Sequence, residues 1–234
     1  MAFTLRGSNS NEGNISAGTI SLNLSTTAGD LVAVWVKHEG TPTTITVSDG
    51  TSSFTAATKR THSNNDDNGQ WFYLLSTVST GSKTYTATFG ANKTFRSIHV
   101  WAFIPTATVA FDTEALSAAD ASGTAATSAA FSTTGTDEVV LGGYTNYGGG
   151  EPSSRAINSV AADGFLQGGN DLASTWYRIL TATFSNGAAT ATIADSDYIL
   201  NAIALKAGAG GADYPYRPVQ TEPIQRAFRK MALS

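Results

Sequence analysis

The sequence has no cysteine and only 14% charged residues. The first absence excludes disulfides and thiolate metal sites, although it leaves the compartment open. The second, with 41% apolar residues, describes a folded chain of low charge density rather than a disordered one. Long apolar runs are missing too, and none approaches the ~20 residues of a membrane helix. The first thirteen residues carry no apolar core of a secretory leader, so the expected setting is a cytoplasmic product, including a virion part assembled before lysis. Positive charge is also scarce. Fourteen basic against eighteen acidic groups leave a net charge of −4, which argues against nucleic acid as the main partner. Helical periodicity is lacking until residues 219–234.

What the sequence does contain is a phrase stated twice. Residues 24–36 read LSTTAGDLVAVWV and residues 131–144 read FSTTGTDEVVLGGY. Ser25, Thr26, Thr27 and Asp30 return as Ser132, Thr133, Thr134 and Asp137, an offset of 107. Residues 71–77 (WFYLLST) return as 176–182 (WYRILTA), an offset of 105. Two echoes in the same order indicate a duplicated half-domain, since solenoid periods are much shorter. Around the echoes lie short alternating runs at 20–24, 43–48, 84–89, 125–131 and 188–193, with turn residues Asp49-Gly50, Asp163-Gly164 and Asn186-Gly187. Asp163-Gly164 stands roughly where Asp49-Gly50 stood.

This pattern predicts an all-β protein, a single jelly-roll-like β-sandwich over residues 1–206, with halves at about 19–104 and 125–206 that share one core. Trp71 and Trp176 are expected to be equivalent core positions. Residues 31–36 and 98–103 are apolar on both faces, so each needs a second cover from the chain or from a partner. That need points to a homo-oligomer or a larger assembly.

The order Gly29-Asp30-Leu31-Val32, Ser48-Asp49-Gly50, an aromatic strand at Trp71, then 84–89, resembles β-sandwich domains of tailed-phage virion proteins and bacterial surface proteins. The resemblance covers about 19–206, and its motifs set architecture rather than chemistry. It implies an adhesive or structural module.

Catalytic constellations are not found. There is no G-x-S-x-G and no H-E-x-x-H, and His38, His62 and His99 stand apart, so no enzyme, metal or cofactor is expected. Asp66 and Asp67 lack the order of a calcium loop and read as a solvated hairpin tip. Trp35 shares a strand face with Lys37, and Trp101 shares one with His99 and Phe103. On alternation, Trp35, Trp101 and Phe103 are candidate outward residues for a glycan or a protein partner.

Residues 207–234 form a separate C-terminal arm. AGAGGA is a flexible linker and YPYRP favours an extended form. Thr221 suits an N-cap, with Pro223 in the first turn. Ile224, Ala227, Phe228 and Met231 then make one helical stripe among Gln225, Arg226, Arg229 and Lys230. A disordered tail is the alternative. Tyr214, Tyr216, Arg217, Ile224, Arg226, Phe228, Arg229 and Met231 are the expected docking residues. Residues 1–212 carry 10 basic and 16 acidic groups, net −6, and residues 213–234 carry 4 and 2, net +2. A basic arm on an acidic body suits an acidic partner. The expectation is a phage virion structural protein, a capsid decoration or head-fibre subunit contacting other virion proteins, with no nucleic acid or membrane partner. Two alternatives remain: a carbohydrate-binding module or receptor-binding tip resting on the tryptophans, and a jelly-roll glycoside hydrolase or lyase resting on fold analogy alone.

Overall fold

The computed structural model describes residues 2–63, 67–146, 151–168 and 173–208. All the regular structure in them is β. The first half contributes β1 (Phe3–Gly13), β2 (Ala17–Thr26), β3 (Leu31–His38), β4 (Ile45–Ser48), β5 (Thr55–Ala56), β6 (Arg60–His62), β7 (Asp67–Leu74), β8 (Gly81–Lys93) and β9 (Arg96–Pro105). The second contributes β10 (Val109–Leu116), β11 (Ala121–Thr127), β12 (Glu138–Asn146), β13 (Ser153–Ile157), β14 (Val160–Ala161), β15 (Gly164–Gln167), β16 (Ala173–Leu180) and β17 (Ala189–Ala207).

Three antiparallel sheets result. One runs β1-β9-β3-β7-β5, with β6 also on β7; a small one runs β2-β8-β4. The third runs β14-β13-β17-β12-β16-β15, with β10 and β11 also on β17. In the first half the chain breaks between β8 and β9, where Phe95 takes φ 47°. In the second half no break occurs, and the nineteen-residue β17 serves two layers. Its N-terminal part pairs with β11 and β13, and its C-terminal part with β10 and β12.

Alternation along β3 shows how the layers stack. Val32, Val34 and Val36 face the small sheet, where Leu22, Val47, Tyr85 and Ala87 complete a core private to the first half. Leu31, Ala33 and Trp35 face the other way, onto Val139, Leu141, Ile199, Ile203 and Leu205 of the second half. The second half has its own core as well, with Val140, Tyr144 and Trp176 against Ala126, Ile157, Ala191 and Ile193. The molecule is therefore a four-layer sandwich. The halves share a central core, but each also encloses a core of its own, so the expected single shared core is replaced by three. The double-sided apolar strands β3, β9 and β12 are covered on both faces by the chain itself, the arrangement in which strands lose their polar alternation.

The duplication is visible in the ladders. On β1 the register against β9 shifts between Leu5 and Gly7; on β10 the register against β17 shifts between Phe111 and Thr113. Each bulge abuts one rung: Leu5–Phe103–Leu31 in the first half, Phe111–Leu205–Val139 in the second. Counting from those rungs, Leu31 corresponds to Val139 and Trp35 to Gly143, an offset of 108. The offset of 107 holds only before the turn, because the second turn has one residue more. Asp30 therefore matches Glu138 rather than Asp137: each carboxylate, three residues on, accepts a backbone N–H, from Thr27 and Gly135 respectively.

The same count corrects the expected equivalence of Trp71 and Trp176. Tyr73 lies across from Ala33 and Tyr177 across from Leu141, so Trp176 matches Phe72 and Trp71 matches Thr175. Both tryptophans are buried, but Trp71 faces the shared core and Trp176 the private one. A one-residue slip exchanges the two faces of a strand. The second-half counterpart of the Asp49-Gly50 turn is Asn158-Ser159, both at positive φ between β13 and β14. Asparagine tolerates that region, which a two-residue hairpin requires. Asp163-Gly164 instead opens β15.

Two glycines inside β12 mark places where a large ring packs directly on the backbone. A Cβ on Gly143 would lie 2.5 Å from Trp35 Cε3, and one on Gly142 would lie 2.6 Å from Trp176 Cε2. Gly69 meets the other edge of the Trp35 ring, with a hypothetical Cβ at 2.5 Å. The Trp35 indole is thus seated across the half–half boundary in a slot that only glycine backbones leave open.

Candidate functional site

Trp35 and Phe103 are fully buried and Trp101 is 1% exposed, all three in the shared core. Their expected outward placement does not hold, because the opposing half covers the face that alternation left unassigned. Tyr177 meets Trp101 and Phe103 edge-on at 5.0 and 5.2 Å. Trp101 Nε1 donates to Thr175 Oγ1 at 2.9 Å, and Trp71 Nε1 donates to the Asn201 carbonyl at 3.1 Å. Both bonds cross between the halves. None of the four indoles offers a stacking platform to solvent. Among the described residues the exposed aromatic rings are Phe95 and Phe165, the latter stacked under Arg155 at 4.2 Å; neither stood out in the sequence. The docking residues Tyr214, Tyr216, Arg217, Ile224, Arg226, Phe228, Arg229 and Met231 lie outside the described residues, as does Asp66.

Polar side chains gather where the end of β3 meets the start of β7. Lys37 ends the shared-core face of β3 and is fully buried. Its Nζ donates to Glu39 Oε1 at 2.7 Å and lies 3.5 Å from Asp67 Oδ1. Asp67, read from sequence as a solvated tip, is 1% exposed. Burial pushes its carboxyl up to about 6, with Lys37 opposing that shift. Beyond it, His62 is buried between halves, with Nδ1 3.6 Å from Asp120 and Nε2 3.9 Å from Asp197. Sequence reasoning missed this cluster because its members are far apart in the chain. The one signal was Lys37 ending an otherwise apolar strand.

Elsewhere burial dominates titration. His99 hydrogen-bonds Thr175 Oγ1 through Nδ1 at 3.1 Å, and burial pulls its ring down to about 3. His38 is drawn down to about 4 for the same reason. Burial raises Glu138 to about 7, helped by Asp112 beside it. Asp112 in turn accepts from Lys206 Nζ at 2.8 Å. Among the described residues no group of three or more histidines and carboxylates is placed to hold a metal ion.

The outer face of the small sheet is built from hydroxyls. Thr19, Thr88 and Thr46 form one rung, and Ser21, Thr86 and Ser48 the next. Thr86 and Ser21 hydrogen-bond at 3.1 Å, and Thr84 donates to Asn23 at 2.7 Å. A shallow groove of about 470 Å³ runs over these rows beside Asp49 and Lys83. No protein family, curated protein or solved structure matches this chain.

Proposed function

We propose that the protein is a structural component of a phage virion, a capsid decoration or head-fibre subunit without enzymatic activity, and that it docks on other virion proteins through residues 207–234. One observation carries this reading. In the sequence, Ile224, Ala227, Phe228 and Met231 recur as one amphipathic stripe, whereas the double-sided apolar strands of the described body already find their cover within it. A helix of about a dozen residues is marginal alone in water and gains stability from a partner. Ala207 ends β17 and Gly208 is tied to Thr108, so the expected linker shortens to 209–218, which can span roughly 35 Å when extended, enough to reach a neighbour. The +2 arm on a −6 body favours an acidic target. Cross-linking mass spectrometry on purified virus particles tests this. Lys230 should be joined to a head or tail protein. Absence of the chain from particles refutes the reading.

A carbohydrate-binding module or receptor-binding tip is the second reading. The tryptophans no longer favour it, but the hydroxyl rows beside the 470 Å³ groove do. Binding on a glycan array that Thr86→Val abolishes would establish it.

A further inference from the structure

We propose that Lys37 and Asp67 condense to an intramolecular amide, with Glu39 as the proton carrier, so that β3 and β7 become covalently joined. Three features place these groups together. Lys37 pairs with Gly69 across the ladder, and Asp67 lies two residues before Gly69, on the same face. Gly69 brings no side chain to separate them. Lys37 Nζ is 3.5 Å from Asp67 Oδ1, yet that oxygen has no hydrogen-bond partner, while Glu39 Oε1 holds the same Nζ at 2.7 Å. A nucleophile, an acyl carbon and a carboxylate are thus within reach of one another.

The surroundings favour the reaction. Lys37 is fully buried and Asp67 1% exposed, so both charges stand away from water beside the seat of Trp35. Burying an ammonium and a carboxylate is costly even when they are paired. Condensation replaces both with a neutral amide. Burial raises the Asp67 carboxyl to about 6, which populates the neutral acid that an amine can attack.

The atoms balance without an oxidant or co-reactant. Glu39 takes one proton from the Lys37 ammonium, and the freed nitrogen lone pair attacks Asp67 Cγ. Glu39 then passes that proton to the departing Asp67 hydroxyl, which leaves as water. The new amide nitrogen sheds a second proton to Glu39. One C–N bond forms and one C–O bond breaks. Glu39, with 18% of its side chain exposed, returns its extra proton to solvent.

The test is the intact mass of the folded full-length chain. The expected mass is lower by one water than the sequence requires, and fragmentation should place a bond between Lys37 and Asp67. Lys37→Arg and Asp67→Ala should each appear at full mass, and Glu39→Gln should cross-link slowly or not at all. A wild-type chain at full mass after prolonged incubation overturns the proposal and leaves an ordinary ion pair. So does a water loss that fragmentation places at Asp49-Gly50 or Asp163-Gly164, where a succinimide accounts for it. Unimpaired cross-linking of Glu39→Gln overturns the role given to Glu39. Because the wild-type mass is itself decisive, misfolding of a variant does not blunt the test. Its failure would leave the docking reading untouched.

Discussion

Gly143→Ala is a one-carbon change at the half–half boundary, and its cost can be worked from the geometry. The added Cβ would lie 2.5 Å from Trp35 Cε3 and 2.6 Å from Cδ2. Carbon atoms prefer about 3.5–4.0 Å, so the indole must move by roughly 1 Å. Gly69 blocks its retreat, since that backbone already abuts the ring's far edge. Overpacking of this kind costs about 1–3 kcal/mol. Replacing glycine by alanine returns about 0.4–1 kcal/mol through the unfolded chain. The expected net loss is about 1–2 kcal/mol, or a few degrees in melting temperature for a domain of this size. In a Trp35→Leu background the obstruction is gone. There Gly143→Ala should be neutral or stabilising, giving a coupling of about 1–3 kcal/mol between the two sites. Gly7→Ala serves as a control, because its Cβ would meet only Leu24 Cδ1 at an ordinary 3.5 Å. Urea denaturation of the four proteins in the cycle, with the control, decides the matter. Equal losses in both backgrounds, or a harmless Gly143→Ala in the wild type, would refute the seated-indole account.

Titration supplies two further predictions. Glu138 has a folded value of about 7, above its ordinary 4.5, so it contributes stability that is complete below 4.5 and lost as pH rises through 7. Thermal melts should show wild type losing at most about 3 kcal/mol from this group between pH 5 and 8, and Glu138→Gln should flatten that slope; an unchanged slope argues against a buried neutral acid. His99 acts in the opposite sense. Its folded value of about 3 lies below the ordinary 6.5, so its contribution is present above 6.5 and lost as pH falls toward 3. His99→Gln should therefore resist acid better than wild type, and equal acid midpoints would contradict this.

Much of this fold was legible because strands announce themselves by period and turns by composition. The repeat, the all-β class and the double-sided strands at 31–36 and 98–103 could be read directly. What covers the second face of such a strand could not. Alternation distinguishes Trp35 from Val34 but does not say which side meets solvent, and here neither does. The register between the halves was hidden by one extra residue in the second turn, which moved Trp176 to the opposite face from Trp71. Gly142 and Gly143 lie inside a strand, where glycine offers no side chain to pack. They are sites of close approach, and their large partners lie elsewhere in the chain, Trp35 more than a hundred residues away. The Lys37–Asp67–Glu39 cluster was invisible for the related reason that Asp67 follows a polar, loop-like run. Composition there suggested solvent, while the ladder turns its side chain inward.

The docking claim is most directly tested by removing residues 209–234 and measuring two quantities on the same sample. The truncated body keeps all three cores and the Gly208 N–H bond to the Thr108 carbonyl at 2.7 Å. Its melting temperature should therefore match that of the full chain, while its co-sedimentation with particles lacking the protein should be lost. Co-sedimentation equal to that of the full chain would contradict the assignment of the arm as the anchor.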